Sequence, residues 1–145
     1  MIRQFYSYVA WCVFTNVKHR VVTKTFAVGR DRDYVAEGLS VNTRDLRVFW
    51  QIRLGDGRAL FGTPIEISPD DLGPYPRATQ LTPAPVWLAG QTITVEATLA
   101  PEMNIGRRRV GVSLILHGFK VVTQPLQRAA TPGRRKRTKA KENPS

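Results

Sequence analysis

Cysteine is nearly absent from this chain. Cys12 stands alone among 145 residues, so no internal disulfide framework is available. Histidine is almost as scarce. Neither His19 nor His117 shares an element with a second metal-type ligand, and there is no CxxC or HExxH spacing. No Gly-rich phosphate cradle exists, because Gly55-Asp56-Gly57 has no helix behind it. No run approaches the ~18–20 apolar residues of a membrane helix, so no membrane contact is expected. Met1 to Phe14 has Arg3 but neither a clean apolar run nor a small-residue cleavage site, and reads as a strand rather than a leader. No convergent set of catalytic or ligating side chains emerges. The expectation is a protein that is not an enzyme and carries no metal and no cofactor.

Acid is also in short supply, with 11 Asp+Glu against 22 Lys+Arg, for a net charge of +11. The last twelve residues hold +5 of it and the other 133 hold +6. A balance of this sign attracts polyanions or acidic protein faces and says nothing of the fold.

The length suits one domain, and its pattern is that of strands. From Thr92 to Leu99, Ile93, Val95, Ala97 and Leu99 share one face, with Thr92, Thr94, Glu96 and Thr98 opposite. From Arg47 to Leu54, Val48, Trp50, Ile52 and Leu54 point one way; Arg47, Gln51 and Arg53 point to water, and Phe49 is the apolar exception beside them. From Arg109 to Lys120, Val110, Val112, Leu114 and Leu116 face Ser113 and His117. Phe5 to Thr15 is apolar on both faces, as if covered on both sides. Val21 to Val28 follows after a turn at Asn16 to His19, which predicts a hairpin. Leu54-Gly55-Asp56-Gly57-Arg58 predicts a second hairpin, returning through Ala59 to Phe61 and again at Pro64 to Ile67.

Only Asp31 to Leu39 could be helical, with Asp31 and Asp33 capping its start beside Arg30 and Arg32. Ser68 to Leu72 reads as one capped turn. Six of the ten prolines fall between Pro64 and Pro85, marking a crossing loop with a short strand at Val86 to Leu88 before the Ala89-Gly90 turn. The fold class is therefore an all-β antiparallel sandwich of Greek-key or jelly-roll type. The sandwich is expected over residues 1–130 and a disordered basic tail over 131–145, where nothing can offset the entropy of ordering.

Three basic features remain as candidate contacts. The tail residues Arg134, Arg135, Lys136, Arg137, Lys139 and Lys141 could neutralise phosphates without sequence preference, solubilise the chain, or dock on an acidic neighbour. Arg107, Arg108 and Arg109 follow Gly106 in a predicted turn and form a solvated rim or a subunit contact. Arg47, Phe49 and Arg53, with Gln51, line an exposed row. One aromatic is a thin stacking platform for single strands, so a protein interface is the better reading. His19 and His117 read as surface or structural histidines, Cys12 as a buried thiol, and Asp56 as a turn residue. Trp87 and Tyr75 at a loop end would serve a carbohydrate-binding or receptor-binding alternative.

In order along the chain stand Asp31-Arg32-Asp33-Tyr34-Val35, then Val48-Phe49-Trp50-Gln51-Ile52-Arg53 with Gly57-Arg58-Ala59-Leu60. Pro74-Tyr75-Pro76 and Pro83-Ala84-Pro85 come next, followed by a Gly-Gln-x-Ile-x-Val strand from Gly90, and Leu116-His117-Gly118-Phe119-Lys120. This succession, from about Phe5 to Lys120, resembles small β-sandwich virion structural proteins of tailed bacteriophages. The resemblance implies a non-enzymatic capsid decoration or minor capsid protein, or a vertex, neck or tail component. Its partners would be other virion proteins and copies of itself as a homo-oligomer, in a virion assembled in the host cytoplasm. The basic tail is outside the resemblance and leaves the alternative of a nucleic-acid-binding module.

Overall fold

The computed structural model describes residues 2–15, 20–43, 45–67 and 79–122. Among these residues nine strands follow one another: β1 (Ile2–Phe14), β2 (Val21–Ala27), β3 (Arg32–Asn42), β4 (Val48–Arg53), β5 (Ile65–Glu66), β6 (Thr79–Gln80), β7 (Val86–Trp87), β8 (Thr92–Leu99) and β9 (Val110–Val122). Among the described residues there is no helix. The first sheet runs β1-β9-β3, with β6 and β7 both on the far side of β3; the second runs β2-β8-β4-β5. All pairings are antiparallel. Apart from the β4–β5 return and the β6–β7 step, every connection changes sheet. That alternation is the jelly roll, the expected all-β sandwich.

Period-2 alternation explains the core. Along β8 the inward, buried positions are Ile93, Val95, Ala97 and Leu99, and along β9 Val112, Leu114, Leu116 and Gly118, while Phe119 is buried from the outer side. Trp50, Ile52, Tyr34, Leu39, Trp87 and Phe14 fill the space between the sheets, all fully buried. The turn at 54–58 closes as expected: Leu54 N–H bonds Arg58 O at 2.8 Å, and Gly57 takes φ +89°. β5 then pairs Glu66 with Phe49 and Ile65 with Trp50. The proline-rich stretch leaves β5 in the second sheet and arrives at β6 in the first, so it does cross between sheets. The capped turn expected at Ser68 to Leu72 and the whole tail lie outside the described residues.

Several expectations are corrected. Asp31 to Leu39 is not helical; Arg32–Asn42 is the long strand β3. Its register slips between Ala36 and Gly38, and Glu37 has no counterpart on β9. This bulge places the buried residues at Tyr34, Ala36, Leu39 and Val41, and the three-residue step from Ala36 to Leu39 imitates helical spacing. Asp33 therefore caps no helix; its Oδ1 accepts Ala89 N–H at 2.8 Å. β1 and β2 are not a hairpin, because β1 pairs β9 along its full length and β2 pairs β8. Gln51 is buried rather than wet. Its Nε2 donates to Phe61 O at 2.8 Å, and its Oε1 accepts Phe61 N–H at 3.0 Å and Ile52 N–H at 3.1 Å. Trp87 is also buried, its indole N–H donating to Arg53 O at 3.1 Å, so it offers no sugar-stacking surface.

Candidate functional site: the outer face of the first sheet

In β1, Tyr8, Ala10, Cys12 and Phe14 point into the core, so Phe5, Ser7, Val9, Trp11 and Val13 point outward. The pairing register carries that outward parity across the sheet. Val86 on β7 stands beside Val35 on β3, Val35 beside Phe119 on β9, and Phe119 beside Phe5 on β1. One apolar row thus crosses four strands. Four residues further along β1, Val9 stands beside Ile115, and beyond it Trp11 beside Ser113.

The expectation that β1 is covered on both faces is not met. Phe5 is 81% exposed, Val9 51% and Trp11 50%. Val86 adds to the uncovered apolar surface of this face, whereas Ile2 and Tyr6, also exposed, share the inward parity of Tyr8. Aromatic surface of this extent, gathered on one side of a small domain, is unusual for a lone soluble chain. One charge reaches into the row: Arg3 lies 4.5 Å over the Phe119 ring, which is 6% exposed. On the opposite side of β1 the Lys120 ammonium lies 3.7 Å over Tyr6. The Trp11 ring covers Gly111, where any side chain would collide with it.

Ser40 and His117 meet in the middle of this face, with Oγ and Nε2 2.8 Å apart. Burial holds the His117 imidazole below its ordinary value, so the ring is neutral near pH 7. A hydroxyl beside a neutral imidazole is the start of a nucleophilic pair. Among the described residues no carboxylate bonds the ring, so the contact reads as a polar tie between β3 and β9. Cys12 points into the core, and burial pushes its thiol up to about 11. No group of three His, Cys, Asp or Glu among the described residues could hold a metal ion. No described helix is long and apolar enough to cross a membrane.

The row of Arg47, Phe49 and Arg53 lies on the outer side of β4, and its cations are engaged. Arg47 bonds both Glu66, at 2.9 Å, and Glu102, which holds the guanidinium above its ordinary value; the same contact holds the Glu66 carboxyl down. Arg53 bonds Glu96 at 3.0 Å. Arginines already paired have less to offer a phosphate. Arg107, Arg108 and Arg109 are exposed on the turn between β8 and β9, where Gly106 takes φ +62°. Arg108 borders a shallow cleft of about 240 Å³ with Asp45, Leu46, Met103 and Val110. A second open cleft, about 400 Å³, lies between Leu60, Phe61 and the segment from Gln80 to Pro83. The tail residues Arg134, Arg135, Lys136, Arg137, Lys139 and Lys141 are outside the described residues, as is His19.

Comparison with protein families, with curated proteins and with solved structures returned no match for any part of this chain. The candidate site therefore stands on its own chemistry. Val35, Val86 and Phe119 gave no local signal in the sequence, because only the register of four strands brings them together. The one clue was the apolarity of β1 on both faces.

Proposed function

We propose that this chain is a non-enzymatic structural protein of a bacteriophage virion, acting through assembly contacts with copies of itself and with other virion proteins. The observation that carries the reading is the open apolar face around Phe5, Val9 and Trp11. Full burial of an aromatic or branched side chain contributes about 1.5–3 kcal/mol, so three such side chains per copy supply a substantial part of an interface. Depletion of charge with enrichment in aromatics is the composition of an interface centre. The jelly roll agrees with this role, being a recurrent capsid architecture, although the same fold also hosts lectins and enzymes. The place within the particle would be a decoration, minor capsid, vertex, neck or tail position.

A nucleic-acid-binding module is less well supported. The two arginines of its expected platform are bound to carboxylates, and Gln51 between them is buried. What remains for it is Arg107 to Arg109 and the tail. The test is quantitative mass spectrometry of gradient-purified particles from a culture of the phage that encodes this sequence. The expected result is this chain at a fixed ratio to the other particle proteins. Its absence from particles, with abundant chain free in the lysate, would overturn the reading.

A further inference from the structure

The four sheet edges differ in how they are protected. A free edge presents a row of unpaired N–H and C=O groups and invites another strand, so soluble proteins blunt it with shortness, proline or an exposed lysine. β5 is two residues long and follows Pro64. β6 and β7 are two residues each, with Pro83 and Pro85 between them. β2 carries exposed Lys24 at its centre. β1 has none of these devices. It is thirteen residues long, contains no proline, glycine, lysine or acid, and carries one charge, Arg3. Among the described residues it pairs with β9 on one side and with no strand on the other.

We propose that β1 pairs antiparallel with β1 of a second copy across a two-fold axis, joining the two first sheets into one continuous sheet. The inference rests on the assembly reading and names the partner of the edge strand that borders that face. The strand is its own complement. A register centred on Tyr8 engages all thirteen residues, and sets Phe5 of one copy beside Trp11 of the other and Ser7 beside Val9. Such a two-fold contact is isologous, so each copy uses the same patch and the assembly closes. Aromatic side chains in adjacent positions on one face are favourable cross-strand neighbours. Charge does not oppose the pairing: Arg3 falls opposite Val13, which separates the two Arg3 residues by about 33 Å along the strands, beyond the ~8–10 Å reach of charge in physiological salt. The outward apolar rows of the two copies then run into one surface, available to a further virion protein.

Amide-resolved hydrogen exchange and light scattering on the full chain, from dilute to concentrated solution, test this. The expected result is a dimer whose formation protects the alternate β1 amides that do not bond β9. Val9→Lys, at a half-exposed position the fold does not require, should weaken dimerisation by about tenfold or more while leaving the core amides protected. A dimer with those β1 amides still exchanging freely would overturn strand pairing but leave assembly through the face intact. A monomer with them protected at every concentration would place residues 123–145, or another part of the same chain, on the edge and overturn the proposal. A monomer with them unprotected at every concentration would overturn both the pairing and self-assembly through β1.

Discussion

Replacing Gln51 with leucine removes three hydrogen bonds at once with little change in side-chain volume. Gln51 joins β4 to the return segment by bonding both polar backbone groups of Phe61, and it also satisfies Ile52 N–H. Ile52 is fully buried, so its N–H has no water to turn to; leaving such a donor unpaired costs about 1–3 kcal/mol. Phe61 is half-buried, and its two groups can recover part of their loss from solvent. The added apolar surface of leucine offsets roughly 1 kcal/mol. The net expectation is a loss of about 1–3 kcal/mol. At roughly 4 °C per kcal/mol for a domain of this size, Gln51→Leu should lower Tm by about 4–12 °C in thermal melts followed by circular dichroism. A shift within about 2 °C would show that the carboxamide carries no such role and that the 58–61 segment is held by other means.

Gly118→Ala and Gly111→Ala should differ sharply although both glycines lie on β9. A Cβ at Gly118 collides with the backbone of Val35 and Ala36 at the bulge, and should cost at least about 2 kcal/mol by chemical denaturation. A Cβ at Gly111 meets only the half-exposed Trp11 ring, which can swing away, for a cost under about 1 kcal/mol. Burial keeps His117 below its ordinary 6.5, so the unfolded chain takes up this proton first as the pH falls. Stability should therefore decline as the pH drops below about 6.5, level off beneath the folded value, and lose this component in His117→Gln; an unchanged pH profile in that variant would refute it. With its thiol at about 11 and no exposed surface, Cys12 should react with a thiol reagent at pH 8 on the order of a hundredfold more slowly in the native than in the denatured chain. Native labelling within a few-fold of the denatured rate would contradict its burial.

How much of this was legible in the sequence depended on whether each feature was local. β8 and β9 announced themselves through strict alternation, and the 54–58 turn through its glycines. The proline cluster marked the crossing between sheets because proline cannot serve a central ladder. β3 misled because its bulge at Glu37 converts a period of two into a step of three. Gln51 misled because its alternation was right and its cover was invisible: the segment over it is a loop without periodicity. The partners of β1 and β2 are about a hundred and about seventy residues away, beyond any window of local pattern. The outer row of Val86, Val35, Phe119 and Phe5 draws one residue from each of four strands, so no single strand displays it.

The most direct test of the central claim, that the face around β1 is built for assembly, is the absolute mass of the full chain by light scattering coupled to size-exclusion chromatography. The account predicts twice the 16.3 kDa of one chain, reverting toward 16.3 kDa in Val9→Lys. A mass of one chain at every concentration, unchanged by that substitution, would contradict it.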